Sequence, residues 1–204
     1  MNGASSAGRG AGGSEATKSD TGAEDCAWME SVQRGDEAAF GRLMERWERP
    51  VKSVIARLVF NAGEAEELAQ ETFVRVWQQR EKYRAGAAFR PWVFAIAVNL
   101  ARNRLRWWRK RPEVALEEWT ERDGDSGSGE GGGARGLEQA ERASAVRDAI
   151  AGLPADLREA IVLFEYQEMS HAEIAAAVGA TPKAVETRIH RAREKLRSTL
   201  KRWE

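Results

Sequence analysis

The sequence predicts an all-α protein: two small helical domains joined by a flexible, acidic, Gly/Ser-rich linker, the second of them a helix-turn-helix domain. Apolar residues recur at spacings of three and four, and the strict alternation typical of strands is absent. The stretch DGDSGSGEGGGARG, residues 123–136, contains too much glycine and serine to pack into a core, so it divides the chain. A length of 204 residues allows one domain or two small ones.

The charges of the chain are segregated although they cancel in total, with 32 basic against 32 acidic residues. Residues 75–111 contain eleven Arg or Lys and a single acid, Glu81. Residues 113–141 contain nine acids and two basic residues, and residues 183–202 contain eight basic residues against two acids. A basic, acidic, basic order indicates distinct parts, and each basic part could neutralise a polyanion.

Composition also limits the class of protein. Cys26 is the single cysteine, so neither an intramolecular disulfide nor a cysteine metal cluster is possible. No apolar run approaches the roughly 20 residues that span a bilayer, and the N-terminus lacks the apolar core of a signal peptide. Residues 1–24, rich in Gly, Ala and Ser, are expected to form a disordered tail. We therefore expect a cytoplasmic protein without membrane insertion.

The first domain is predicted over residues 25–112. Its helix GEAEELAQETFVRVWQQ, residues 63–79, has its apolar residues in one stripe, which is typical of a helix with one buried face. The opposite face is predicted to be exposed. Its members are Glu67, Gln70, Glu71, Val74 and Gln78.

A second helix of this domain is expected to begin near Pro91, because proline suits the first turn of a helix. It carries Trp92, Ile96 and Leu100 on one side and runs into RNRLRWWRKR, residues 102–111. Cations near a helix C-terminus are favoured by the helix dipole, so this stretch could be a solvated helix end with packed tryptophans. It could equally be a nucleic-acid surface, in which cations neutralise phosphates and an aromatic ring stacks on unpaired bases.

The second domain, residues 137–204, has the clearest helix signals. A capping box opens one helix, a glycine ends it, and a threonine–proline pair begins the next helix at once. Two helices joined by so short a turn, after a supporting helix in LPADLREAIVLFEY, predict a helix-turn-helix motif. The residues that carry these signals are Ser170, Glu173, Gly179, Thr181 and Pro182.

The second helix of such a motif normally lies in the major groove of DNA, with its first residues nearest the base edges. An arginine there can recognise guanine through two hydrogen bonds. The alternative is an ordinary amphipathic helix with a solvated cationic face. The predicted contact residues are Lys183, Glu186, Thr187, Arg188, His190 and Arg191.

The sequence contains no arrangement expected of an enzyme. His171 and His190 lie on separate predicted helices, without Cys, Asp or Glu at metal-ligand spacing. No phosphate-binding G-x-x-x-x-G-K-[ST] sequence occurs, and Cys26 has no histidine near it in the chain. We therefore expect no catalysis, no metal, no cofactor and no small-molecule substrate.

Four blocks of the chain form an ordered succession. They are GDEAAFGRLMERW, AEELAQETFVRVWQQREKY, FRPWVFAIAVNLARNRLRWWRKR and LPADLREAIVLFEYQEMSHAEIAAAVGATPKAVETRIHRAREKL. In this order they resemble the extracytoplasmic-function (ECF) sigma factors of bacterial RNA polymerase, over nearly all of the chain except the tail and the linker. The resemblance implies a factor that binds core RNA polymerase, recognises promoter minus-thirty-five and minus-ten elements, and helps to open the DNA.

The resemblance also implies site residues. Glu67, Gln70, Glu71 and Val74 would dock on the largest subunit of the polymerase. The loop at residues 84–90 would receive a base flipped out of the non-template strand. The six residues predicted for the second helix of the motif would contact the minus-thirty-five element. The residues implied in minus-ten binding are Arg84, Gly86, Phe89, Arg90, Asn99, Arg102, Arg106, Trp107 and Arg109.

The sequence departs from the family pattern in two places. Asn103 stands where Asp is common, and Lys183 with Ala184 replaces a usual Gly–Thr pair, so no promoter preference can be transferred. The resemblance implies that the linker, residues 113–136, lies in the RNA path of the polymerase, and that an anti-sigma factor is a possible partner. The alternative function is a free-standing helix-turn-helix regulator that binds duplex DNA as a dimer.

Overall fold

The computed structural model describes residues 13–111 and 134–201, and all regular structure in these two ranges is helical, which confirms the all-α prediction. Helices α1–α4 form the first domain and α5–α8 the second. In chain order the elements are α1 (Gly13–Gln33), α2 (Glu37–Val59), α3 (Ala62–Gln78), a 3₁₀ helix (Arg80–Lys82), α4 (Phe89–Lys110), α5 (Ala134–Ala151), α6 (Ala155–Gln167), α7 (His171–Val178) and α8 (Pro182–Leu200).

The predicted boundaries differ from the observed ones at the N-terminus. Helix α1 begins at Gly13, so residues 13–24, which the sequence analysis assigned to a disordered tail, are helical; residues 1–12 lie outside the described residues. Of the predicted linker, residues 113–136, residues 113–133 also lie outside the described residues. Its last three residues, 134–136, open α5. None of the described helices has the length and apolar character needed to cross a membrane.

A sharp corner between α2 and α3 builds the first domain. Asp36 caps α2 by accepting hydrogen bonds from the backbone N–H groups of Ala38 and Ala39. Phe60 ends α2 in the left-handed conformation, with φ at 57°, and Asn61 immediately caps α3 by accepting from the N–H of Glu64. Because a side chain satisfies orphan donors at each start, two antiparallel helices pack with a very short connection.

Helix α1 belongs to this domain because its end is anchored on α2. The Asp25 carboxylate is 2% exposed and accepts hydrogen bonds from Arg46 Nη1 at 2.8 Å and Trp47 Nε1 at 3.0 Å. The Arg46 guanidinium also lies 4.2 Å from the centre of the Trp28 ring. Burial raises the pKa of Asp25, whereas the Arg46 and Trp47 hydrogen bonds oppose that shift. The composition of the N-terminal segment gave no indication of this anchor.

Helix α4 is the central helix of the molecule, and its buried face differs from the one that the sequence predicted. Leu100 is buried as expected, but Trp92 and Ile96 are half-buried at the edge of the core. The buried face contains Phe94, Ala101 and Trp108, which are spaced by seven residues and so share one side of a helix. The apolar run in PWVFAIAV covers more than one face, and this left the orientation of the helix ambiguous from spacing alone.

The second domain confirms the predicted helix-turn-helix motif. The capping box of α7 is complete, since Ser170 Oγ accepts from the Glu173 N–H and the Glu173 carboxylate accepts from the Ser170 N–H. Gly179 ends α7 with φ at 68°, and Thr181 caps α8 by accepting from the Ala184 N–H at 3.2 Å. The stripe Val185, Ile189 and Ala192 is buried, and Leu196 is half-buried.

The two domains pack directly against each other, α4 against α7 and α2 against α6. Arg158 in α6 donates to the carbonyl of Leu58 at the end of α2, at 3.0 Å. The Arg57 guanidinium lies 4.0 Å from the centre of the Tyr166 ring. Charged contacts at this boundary join Arg102 of α4 to Glu159 of α6 and Arg90 of α4 to Glu173 of α7.

We predict opposite effects for alanine at two glycines. Gly179→Ala should lower the free energy of unfolding by about 1–2 kcal/mol, because a Cβ is disfavoured in the left-handed conformation that ends α7. Gly41→Ala should raise it by about 0.5–1 kcal/mol, because Gly41 lies inside α2 and an added Cβ meets nothing within 4 Å. Urea unfolding followed by circular dichroism measures both. A change of the same sign in the free energy of unfolding of both variants would contradict the assigned helix ends.

Candidate nucleic-acid and protein interfaces

The face of α3 that was predicted to be exposed is exposed. Val74 is an apolar side chain with 47% of its surface open to solvent, and Glu67 and Gln70 are exposed beside it. Glu71 is half-buried and accepts a hydrogen bond from Arg75 Nε at 2.7 Å. The residues expected to bind the polymerase therefore form one continuous surface.

An apolar groove of about 550 Å³ adjoins this face, and sequence reasoning missed it. Its walls include Phe40 and Met44 from α2 and Phe73, Val74 and Trp77 from α3. The rings of Phe40 and Trp77 lie 5.2 Å apart, centre to centre. The sequence assigned Trp77 to the buried stripe, but the ring is half-buried and lines the groove. The surface therefore combines polar side chains with a row of accessible apolar ones.

The predicted base-binding loop is a tight turn with an exposed tip. The Ala87 N–H donates to the Arg84 carbonyl at 3.0 Å, and Gly86 has φ at 76°, a conformation that favours glycine. Arg84 and Gly86 are exposed. Phe89 is 1% exposed and packs against Trp47, so its ring supports the loop from within the core instead of facing solvent.

Three side chains that the sequence did not single out hold this loop. Gln33 Nε2 donates to the carbonyls of Arg80 and Tyr83, Cys26 Sγ donates to the carbonyl of Ala87 at 3.1 Å, and the Tyr83 hydroxyl donates to the same carbonyl. Burial raises the pKa of Tyr83 well above its ordinary value, so the hydroxyl remains a donor. Cys26 looked like a bystander because its partners lie about 60 residues away in the chain.

The end of α4 separates the two tryptophans of RNRLRWWRKR. Trp108 is 7% exposed and belongs to the core, whereas Trp107 is 36% exposed and the Arg111 guanidinium lies 5.4 Å from its ring centre. Arg106 and Arg109 are exposed near it. The surface at this end is therefore cationic with one accessible aromatic ring, as contact with an unpaired base requires.

A groove of about 720 Å³ joins this end of α4 to the exposed face of α3. Glu67 and Glu71 line it from α3, and Asn103, Arg104 and Trp107 line it from α4. Arg104 is held by an ion pair with Glu64, whose side chain is 2% exposed. The two surfaces that the sequence analysis treated separately are therefore neighbours.

Two of the predicted minus-ten residues contact the second domain. Arg102 binds the Glu159 carboxylate through two hydrogen bonds, Nε to Oε1 at 2.7 Å and Nη2 to Oε2 at 2.5 Å, and it also donates to the Val178 carbonyl. The Glu159 hydrogen bonds raise the pKa of Arg102 further. Arg90 lies 3.8 Å from the Glu173 carboxylate, while Asn99 is exposed.

An acidic cleft of about 970 Å³ lies between the domains beside Arg90. Phe89 and Arg90 line it from the first domain, and Glu165, Glu168 and Glu173 line it from the second. Carboxylates repel a phosphate backbone, so this cleft is unfavourable for DNA while the domains are packed together.

The predicted contact face of α8 is open to solvent. Lys183 has 81% of its side chain exposed and pairs with Glu186 at 2.9 Å, and this hydrogen bond lowers the pKa of Glu186. Arg188 is more enclosed and lies 3.5 Å from the Asp156 carboxylate. Thr187, His190 and Arg191 are exposed. Among the described residues no three His, Cys, Asp or Glu side chains are grouped as a metal site requires.

Comparison with known proteins gives matches for both domains. The model of sigma-70 region 2 matches residues 43–111, and the model of sigma-70 region 4 matches residues 143–196. The RNA polymerase sigma-H factor of Pseudomonas aeruginosa is 33% identical over 187 residues, which are 87% of this chain and 94% of that protein. The ECF RNA polymerase sigma-E factor of Haemophilus influenzae is 33% identical over 186 residues, 86% of this chain and 95% of that protein.

A solved structure gives the same result. CnrH, in complex with the cytosolic domain of CnrY, is 27% identical, with a TM-score of 0.66 over 87% of this chain and 97% of that chain. Region 2 coincides with the domain that carries the α3 face, the loop and the end of α4, and region 4 coincides with the helix-turn-helix domain. The chain therefore belongs to the ECF sigma factors of bacterial RNA polymerase, the initiation factors that direct the polymerase to promoters.

Proposed function

We propose that each of these surfaces has its own task in initiation: the α3 face binds core RNA polymerase, the loop and α4 bind the minus-ten element, and α8 binds the minus-thirty-five element. The observation that carries the proposal is that the α3 face and the α8 face are both open to solvent in one molecule. A free-standing dimeric regulator would use only the second. The chain itself carries out no catalysis and uses no cofactor in this scheme.

Polymerase binding rests on the apolar groove together with the polar residues of α3. Interfaces derive most of their affinity from a few buried apolar or aromatic side chains, and surrounding polar residues orient the partner. Val74, Phe40 and Trp77 supply the apolar part. Glu67, Gln70 and Glu71 surround it and favour a partner surface with complementary charge.

Val74→Asp tests this surface. Placing a carboxylate among Phe40, Met44 and Trp77 should raise the Kd for core polymerase by about tenfold or more, because the charge would be desolvated on binding. Glu48→Ala, an exposed change elsewhere on the first domain, is the matched control and should leave the Kd unchanged. Competition for core polymerase against a labelled sigma factor measures both. Unchanged competition by the Val74 variant would remove α3 from the interface.

Minus-ten binding uses the exposed side chains of the loop and of α4. Arg84, Asn99, Arg106 and Arg109 supply donors and positive charge, and Trp107 supplies a ring on which an unpaired base can stack. Gly86 gives the loop its turn, and Phe89 holds the loop from inside the core. A base that leaves the duplex loses stacking worth a few kcal/mol, and contacts at the loop would restore it selectively.

Minus-thirty-five binding uses the first turns of α8. Lys183, Glu186, Thr187, His190 and Arg191 are exposed, whereas Arg188 is half-buried at the edge of the stripe that contains Val185 and Ile189. Arg188 is the best candidate for direct base contact, because its side chain is the least exposed of the six and lies 3.5 Å from the Asp156 carboxylate. The fully exposed cations are better suited to phosphates.

Arg188→Ala should therefore reduce specific initiation more than general DNA binding. On a promoter with the correct upstream element we expect a loss of about 1–3 kcal/mol in binding, and little loss on one whose upstream element is scrambled. Arg197→Ala, an exposed change in the last turn of α8, serves as the control for lost charge. An equal loss on both templates would make Arg188 a phosphate contact.

The two domains must part for both elements to be bound at once. The elements are centred about 25 base pairs apart, which is about 85 Å of duplex, whereas α4 and α7 are in direct contact here. The predicted linker, residues 113 to 136, includes three residues that open α5, and the remaining 21 have a maximum reach of about 70–75 Å. A linker of this length, together with the span of the two domains themselves, would permit the separation. Parting would release Arg102 from Glu159 and Arg90 from Glu173.

Glu159→Gln tests this step. Loss of the carboxylate charge weakens the hold on Arg102, so the full chain should bind single-stranded DNA with a minus-ten element about 5- to 10-fold more tightly. Glu138→Gln is the control, since Glu138 is exposed and pairs with Arg142 inside the second domain. Fluorescence anisotropy measures the affinity, and thermal melting checks the fold. An affinity that Glu159→Gln leaves unchanged or lowers would contradict competition between Glu159 and DNA.

A protein partner would act on the same boundary. CnrH was solved in complex with the cytosolic domain of CnrY, and we propose that this chain also has a protein partner, an anti-sigma factor that holds it in an inactive form. The acidic cleft between the domains, with Phe164 and Met169 among its apolar walls, suits an amphipathic segment that carries basic residues.

A transcription assay tests the proposed function as a whole. Purified chain and bacterial core polymerase are incubated with a library of promoter fragments, and discrete transcripts that require the chain are the expected result. Their upstream sequences would define both promoter elements. Binding to a palindromic duplex without any affinity for core polymerase would instead support the dimeric regulator.

A further inference from the structure

The loop at residues 84–88 is held at both ends by hydrogen bonds to backbone carbonyls, two of them just before the loop and one within it. On one side, Gln33 Nε2 donates to the Arg80 carbonyl at 2.9 Å and to the Tyr83 carbonyl at 2.7 Å. On the other side, the Ala87 carbonyl accepts from Cys26 Sγ at 3.1 Å and from the Tyr83 hydroxyl. The exposed tip between these points, Arg84 to Gly86, has no comparable support beyond the bond that closes the turn.

Two of these donors come from a single helix that is remote in the chain. Gln33 and Cys26 both lie on α1, seven residues apart and therefore on the same face. Both are half-buried beneath the loop. Helix α1 is itself fixed to α2 through Asp25, Arg46 and Trp47. The loop therefore rests on a helix whose position is set independently of the DNA.

The chemistry of Gln33 fits this task closely. A primary amide carries two N–H donors on one nitrogen, so it can satisfy two carbonyl oxygens at once. A carboxylate of the same shape has only acceptors and would face both carbonyls with repulsion. Neither Gln33 nor Cys26 is exposed at the tip, so neither is placed to touch a base. Any effect on DNA would pass through the loop backbone.

We propose that α1, through Gln33 and Cys26, positions the minus-ten loop and thereby sets its base selectivity; this rests on the proposed function of the loop. A binding site selects among bases only if its donors and acceptors are held in place before the ligand arrives, because an adaptable loop adjusts to any base. Fixed carbonyls at Arg80, Tyr83 and Ala87 hold the two ends of the turn, and this fixes the backbone that presents Arg84 and Gly86.

Selection from randomised DNA tests the proposal. The full chain bound to core polymerase is incubated with single-stranded DNA carrying six randomised positions, and the retained strands are sequenced. Wild type should show a strong preference at the position that enters the loop. In Gln33→Glu the preference at that one position should fall by about tenfold, while preferences at the other positions stay unchanged.

Matched variants separate positioning from folding. Cys26→Ser keeps an O–H donor for the Ala87 carbonyl and should retain the preference, whereas Cys26→Ala should weaken it. Arg34→Ala changes the residue next to Gln33 and should have no effect on selection. The Arg34 guanidinium donates a hydrogen bond to Ser31 Oγ. Thermal melting identifies any variant that loses its fold. Gln33→Leu also removes both N–H donors of Gln33, but without introducing a negative charge.

Each outcome decides a separate question. Unchanged base preference in Gln33→Glu, Gln33→Leu and Cys26→Ala would overturn the positioning role. A uniform loss of affinity at all six positions, with relative preferences intact, would also overturn it and leave a structural role. A wild-type complex that selects no base would overturn the assignment of the loop to the minus-ten element, and the positioning role with it.

Discussion

The ion pair between Arg102 and Glu159 links the two domains, and the proposed scheme depends on it. Glu159 is 5% exposed, and a buried carboxylate without a partner is strongly unfavourable. The desolvation of such a pair nearly cancels its attraction, so the contact specifies an arrangement more than it stabilises one. A phosphate group offers an arginine the same two-point hydrogen bonding as a carboxylate. DNA is therefore a chemically matched competitor for Arg102.

In the packed arrangement of the domains, the proposed binding surfaces differ in how accessible they are. The α8 face and the α3 face are open, whereas Arg102 and Arg90 are engaged by carboxylates of the second domain. In the proposed scheme the polymerase and the upstream element are met first, and the minus-ten surface is completed when the domains part. The groove between α3 and α4, lined by Glu71 and Trp107, places the proposed polymerase surface beside the proposed DNA surface.

Local signals allowed the helix-turn-helix motif to be predicted, because Ser170, Gly179 and Thr181 act on their own helix ends. The exposed α3 face was also predictable, since a helix with one apolar stripe has one buried side. Contacts between distant residues were not predictable. Nothing in the sequence joins Gln33 to Tyr83 or Arg102 to Glu159, and the continuous apolar run of α4 hid the difference between Trp107 and Trp108.

The separation of the two domains is the most direct test of this account. Fluorescent labels would be attached at two exposed positions, Glu45 in α2 and Arg197 in α8, in a chain that carries Cys26→Ser. Energy transfer between the labels would report the distance between the domains. We predict one short distance in the free chain and a clearly longer one in the complex with core polymerase and promoter DNA. The same distance in both states would contradict the account, because Arg102 would then remain with Glu159 during promoter binding.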